Sequence, residues 1–169
     1  MIPKRYYPSV LAGFGASVLS IIPEIKSVSC CLIVPAAAFI SLYLFNRIMN
    51  GESPIKLNRA LSFGLITGLV AAIFTTFFDL LITYLTHSND LVTGLPYTRD
   101  FITQYNLGPL MEASIKLMED MVKEIQQNGF SVLYTVMISL SNMIIFSVFG
   151  MLGGLFGMAI LNKKNRRLL

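Results

Sequence analysis

The chain has 169 residues, of which 54% are hydrophobic and only 13% are charged, and its mean hydropathy is +0.68. A soluble domain carries about 25% charged residues and needs them to cover its surface. These numbers therefore exclude a disordered chain and argue against a soluble enzyme. The net charge of +4 does not imply a nucleic-acid partner. Lys163, Lys164, Arg166 and Arg167, four of the thirteen basic residues, form a C-terminal tail directly after an apolar run. Such a block marks the cytoplasmic edge of a membrane span. The expected partner is the lipid bilayer.

Four long uncharged stretches stand out: 6–23, 27–46, 60–78 and 125–162. A spanning helix needs about 20 predominantly apolar residues. The pattern predicts an all-α integral membrane four-helix bundle, with spans at about 8–22, 29–48, 58–86 and 130–161. In the first, Pro8 suits an opening turn and Pro23 discourages continuation. Its length gives a rise of only about 22 Å, so Tyr6 and Tyr7 are expected to anchor it at the interface. The N-terminus also reads as a secretory signal, with Lys4 and Arg5 before an apolar segment, but no close cleavage site follows. The expectation is a retained helix. A bend over 23–28 leads to the second span, where Pro35 frees the carbonyl of Cys31 and predicts a kink.

Cys30 and Cys31 are the only cysteines, and neighbours in sequence rarely form a disulfide. They read as small apolar residues at a helix start. A lipoprotein signal is the sharper alternative, but Glu24 and Lys26 interrupt its apolar segment.

The loop expected over 87–129 is acidic, with Asp90, Asp100, Glu112, Glu119, Asp120 and Glu124 against Arg99, Lys116 and Lys123. Leu95-Pro96 and Gly108-Pro109 punctuate it. An additional amphipathic helix is expected at 109–127, with Pro109 in its first turn. Met111, Ile115, Met118, Val122 and Ile125 form one stripe at helical spacing. Such a helix lies on the membrane or on the outer mouth of the bundle.

Basic residues set the threading. With the N-terminus inside, nine of thirteen fall on the inner side, and Lys26, Arg99, Lys116 and Lys123 fall outside. The expectation is a multi-pass protein with both termini cytoplasmic and the long loop external.

Small residues recur every four positions in three of the expected helices. Ser9, Gly13 and Ser17 do so in the first, and Ala60, Gly64, Gly68, Ala72 and Thr76 in the third. The fourth carries two offset pairs, Gly150 with Gly154 and Gly153 with Gly157. Small side chains let helix backbones approach in lipid. The row reads as packing within one bundle. The doubled glycine face of the fourth helix also keeps an interface with another subunit open, with Gly150 and Gly154 assigned to association.

Asp79 is the one acidic residue inside a span, and Thr75 and Thr83 share its face. A carboxylate there is costly unless paired, hydrated or protonated. Asn142 is expected at similar depth, so the structural reading is a hydrogen-bonded staple from Asp79 to Asn142 or a nearby threonine, or a carboxylate that snorkels to the outer interface. A proton or ion site at Asp79 is the functional one. No cofactor or metal is expected: His87 is the single histidine, without ligands at metal spacing. No catalytic residue or small-molecule substrate can be assigned.

Several segments carry a resemblance: Asn46-Arg47, then Gly51-Glu52-Ser53-Pro54-Ile55, then Arg59 to Gly68 leading into the third helix, and a glycine-rich closing helix ending Leu161-Asn162-Lys163-Lys164. The chain resembles the bacterial four-helix membrane proteins catalogued as domain of unknown function 4199. It departs from them at Cys30-Cys31 and Pro35. The resemblance implies a bacterial inner-membrane protein, with no catalytic or binding residues to transfer. The leading expectation is a non-enzymatic structural or accessory component, self-associating or bound in a larger membrane complex. The rival is a small transporter or channel acting through Asp79.

Overall fold

The computed structural model describes residues 4–48, 54–105 and 108–165. Arg166 and Arg167 of the basic tail, and Gly51, Glu52 and Ser53, lie outside the described residues. Every regular element among the described residues is helical. A turn at Lys4–Tyr6 precedes α1 (Tyr7–Ser20), which is followed by α2 (Pro23–Val28), a π-helical segment at Ser29–Ile33 and α3 (Val34–Ile48). Then come α4 (Leu57–Thr86), α5 (Asp90–Tyr105), α6 (Pro109–Asn128) and α7 (Val132–Asn165). The chain divides into two compact units: Met1–Thr76 with Ser139–Leu169, and Phe77–Ile138.

Among the described residues, three helices are long and apolar enough to cross a membrane: Ser29–Ile48, Leu57–Thr86 and Val132–Lys163. The span expected at 8–22 is not among them. Its helix has 14 residues, a rise of about 21 Å against a hydrocarbon core of about 30 Å. It packs along α3, where the Ser9 and Ser41 hydroxyls bond at 2.8 Å. Pro35 is accommodated by a widened turn rather than a broken one. The Val34 N–H reaches back five residues to the Ser29 carbonyl. A π turn relieves the clash that a proline ring makes with the carbonyl four residues earlier. Cys30 and Cys31 are free thiols, their sulfurs 3.5 Å apart.

Within the first unit the interior holds two apolar clusters, one rich in alanine and one in large side chains. Ala16, Val34, Ala37, Ala71, Ala72 and Phe146 form one cluster. Leu42, Phe45, Ile55, Ala60, Phe63 and Leu161 form a second.

In the second unit the 87–129 stretch holds two helices where the sequence suggested one. α5 runs through Pro96, which was read as punctuation. Proline removes one backbone bond, but the neighbouring turns hold: Thr93 N–H bonds the Asn89 carbonyl at 3.0 Å, and the Thr98 hydroxyl bonds the Gly94 carbonyl at 3.1 Å. α5 packs on α6, and Arg99 reaches Glu119 at 3.2 Å. α6 starts on Pro109 and stops at Gly129, whose φ of +69° lets its N–H bond the Ile125 carbonyl at 2.7 Å. That left-handed position suits glycine. Of the predicted stripe, Ile115, Val122 and Ile125 are buried, joined by Met121, while Met111 is exposed.

Candidate functional site

The polar residues singled out in the sequence follow one side of α4 and are buried. Thr75, Thr76, Asp79 and Thr83 retain 2%, 8%, 8% and 2% exposure. In the first unit, the Asn142 amide donates to the Thr76 hydroxyl at 2.9 Å. This corrects the expected pairing: the hydrogen bond Asn142 makes goes to Thr76, one helical turn before Asp79. A threonine three residues away presents its oxygen on nearly the same face, so sequence spacing cannot separate the two partners. The buried Thr75 hydroxyl has no hydrogen-bond partner among the described residues. In the second unit, the Thr83 hydroxyl donates to the Asp79 backbone carbonyl at 2.7 Å.

Other buried hydroxyls are also spent locally. Thr67 bonds the Phe63 carbonyl, Ser20 the Ala16 carbonyl and Ser17 the Phe14 carbonyl, all at 2.7–2.8 Å. A hydroxyl that bonds its own helix is satisfied in hydrocarbon without a partner helix.

The glycines sit where backbones touch. A Cβ on Gly64 would meet the Gly150 carbonyl and come within 2.9 Å of the Met151 Cα. One on Gly68 would strike the Phe146 carbonyl. Gly150 faces the Gly64 carbonyl and Gly154 the Ala60 carbonyl. The offset pair turns elsewhere: a Cβ on Gly153 would strike the Pro35 backbone, and one on Gly157 would come within 3.2 Å of the Phe39 ring. The doubled glycine face of α7 therefore meets two neighbours of the same chain, α4 and α3. This corrects the assignment of Gly150 and Gly154 to association, because their surface is occupied within the unit.

Asn162 was read only as part of the closing segment. Its amide donates to the Ile55 carbonyl at 3.0 Å, and its carbonyl accepts the Ile55 N–H at 2.8 Å. The available signal was an uncharged polar residue between an apolar helix and a lysine pair. His87 bonds the Gln126 carbonyl through Nδ1 at 3.1 Å. No group of three His, Cys, Asp or Glu able to hold a metal occurs among the described residues.

No protein-family model, curated protein or solved structure matches the chain. The geometry itself carries the functional reading.

Proposed function

We propose that this is an integral membrane protein of structural or accessory type, not an enzyme, resident in a bacterial inner membrane as its resemblance to the four-helix family implies. One observation carries the membrane reading: large apolar side chains stand exposed along the long helices while small polar ones are buried among them. Among the described residues, eleven Ser, Thr and Asp side chains are buried, while Ile73, Phe77 and Leu81 on α4 and Leu140, Ile144 and Phe156 on α7 stand exposed. Water favours the reverse distribution, and exposed apolar surface on that scale is a solvent boundary with lipid. The structural role is supported by how the polar groups are used. Ser9 with Ser41, and Asn142 with Thr76, join helices of the same unit.

The cytoplasmic placement of both termini is supported by the basic residues of the first unit. Arg5, Lys56 and Arg59 gather at one end, as the positive-inside rule requires of segments on one side. With Cys30 and Cys31 replaced, single cysteines at Ser88 and Asn165 test the threading. An impermeant thiol reagent on spheroplasts is expected to label position 88 alone. Labelling at 165 alone reverses the orientation.

A small transporter or channel is the second reading, favoured by the buried Asp79 and the unpartnered Thr75 hydroxyl. Reconstitution in liposomes separates the two. A structural protein gives proton or ion flux no higher than empty vesicles at any pH. Flux that disappears in a folded Asp79→Asn variant moves the assignment to transport.

A further inference from the structure

A cavity of about 360 Å³ opens in the first unit where α1 begins, α3 ends and α4 begins. Three cations line it, Arg5, Lys56 and Arg59, and no carboxylate is among the described residues of its wall. Like charges gathered with no counter-charge among the described lining residues favour an anionic occupant. The floor is aromatic and ordered. The buried Phe63 ring lies 4.5 Å from Phe45 and 5.2 Å from Tyr6, centroid to centroid. Those two rings carry the guanidinium groups: Arg5 lies 4.7 Å from the Tyr6 centroid and Arg59 5.4 Å from that of Phe45. A guanidinium held against a ring keeps in-plane N–H donors in a fork that matches phosphate oxygens. Lys56 adds a point charge. Asn58 and Ser62 line the same cavity with an amide and a hydroxyl. The first turn of the 30-residue α4 ends there and adds its positive dipole end.

We propose that Arg5, Lys56 and Arg59 form a binding site for a phosphate-ester anion, of the kind an anionic phospholipid head group presents. The inference rests on the membrane reading for the source of that anion. The cavity lies at the ends of two apolar helices, Ser29–Ile48 and Leu57–Thr86, where a spanning helix meets the head-group layer.

The test is thermal unfolding of the full chain in neutral detergent, followed by ellipticity, during titration with three probes. These are dihexanoyl phosphatidylglycerol, dihexanoyl phosphatidylcholine and soluble glycerol 1-phosphate. The phosphatidylglycerol probe is expected to raise the melting temperature saturably, with an affinity at least tenfold above that of the phosphatidylcholine probe. Arg59→Gln is expected to weaken this at least tenfold. Lys56→Gln, which alters no ring contact, guards against loss of fold and is expected to weaken it severalfold. Lys123→Gln removes the same charge from an exposed side chain of α6 and is expected to leave affinity unchanged. Saturation by glycerol 1-phosphate at equal concentration upholds the site but assigns it to a soluble phosphate ester. No saturable shift with any phosphate, or equal weakening by Lys123→Gln, overturns the proposal. Flotation of the protein with membranes after alkaline carbonate treatment tests the membrane reading separately, because the detergent titration does not depend on it.

Discussion

Gly150→Leu is expected to abolish the native packing of the first unit. A Cβ at Gly150 points at the Gly64 carbonyl and lies 3.1 Å from the Gly68 Cα. These are backbone atoms, so no side chain can swing aside to make room. Overpacking of even one methyl costs about 1–3 kcal/mol in a well-packed interior, and leucine adds three more carbons at the same point. Gly150→Ala should therefore lower the melting temperature in detergent by several degrees, partly offset by about 1 kcal/mol of improved helix propensity. Gly15→Ala is the internal control. Nothing lies within 4 Å of its Cβ position, so it should gain up to about 1 kcal/mol from propensity alone. The contrast makes the result readable: equal melting temperatures for Gly150→Leu and wild type would show that α4 and α7 do not meet there. Because the contact lies within one chain, the loss should be the same at every protein concentration. An association defect would instead weaken on concentrating the sample.

Asn162→Leu is the second large effect. Ile55 is 5% exposed, and both its N–H and its carbonyl end on the Asn162 amide. Leucine leaves two buried backbone groups without partners, each at about 1–3 kcal/mol. The expected loss is therefore about 2–4 kcal/mol if the costs add partially. Asn162→Asp keeps the acceptor for the Ile55 N–H and loses the donor, so it should fall between wild type and leucine. Melting in detergent measures the loss. Limited trypsin digestion localises it: cleavage after Lys56 should be several times faster in the leucine variant. Unchanged cleavage and unchanged melting would mean that water replaces the amide without cost.

Hydropathy made the long apolar helices legible before any coordinates. The third was expected at 58–86 and runs Leu57–Thr86; the last was expected at 130–161 and runs Val132–Asn165. The signals are local. An apolar run satisfies its backbone within the helix, and nothing distant has to be known. The same locality explains α6, opened by Pro109 and closed by Gly129. α5 is not legible in the sequence because Pro96 reads as a breaker, while in the structure the helix runs through it and packs on α6.

Partner choice was the part no local pattern contained. The sequence by itself determined an all-helical chain, its long apolar helices, and glycines spaced to let backbones meet; it counted four spans, of which three are long and apolar enough among the described residues. It did not determine which backbones. Small residues carry no label for their neighbour, since a glycine row fits any helix that approaches it. Only the tertiary structure assigned Gly150 and Gly154 to α4 and Gly153 to the Pro35 backbone. It alone gave the Asn142 amide to Thr76 and the Asn162 amide to Ile55, 107 residues away. It also brought Arg5 to Lys56 and Arg59, charges that the sequence offered only as markers of sidedness. Periodicity places a side chain on a face of its own helix, whereas contact depends on the closure of long loops, and that is a property of the whole fold.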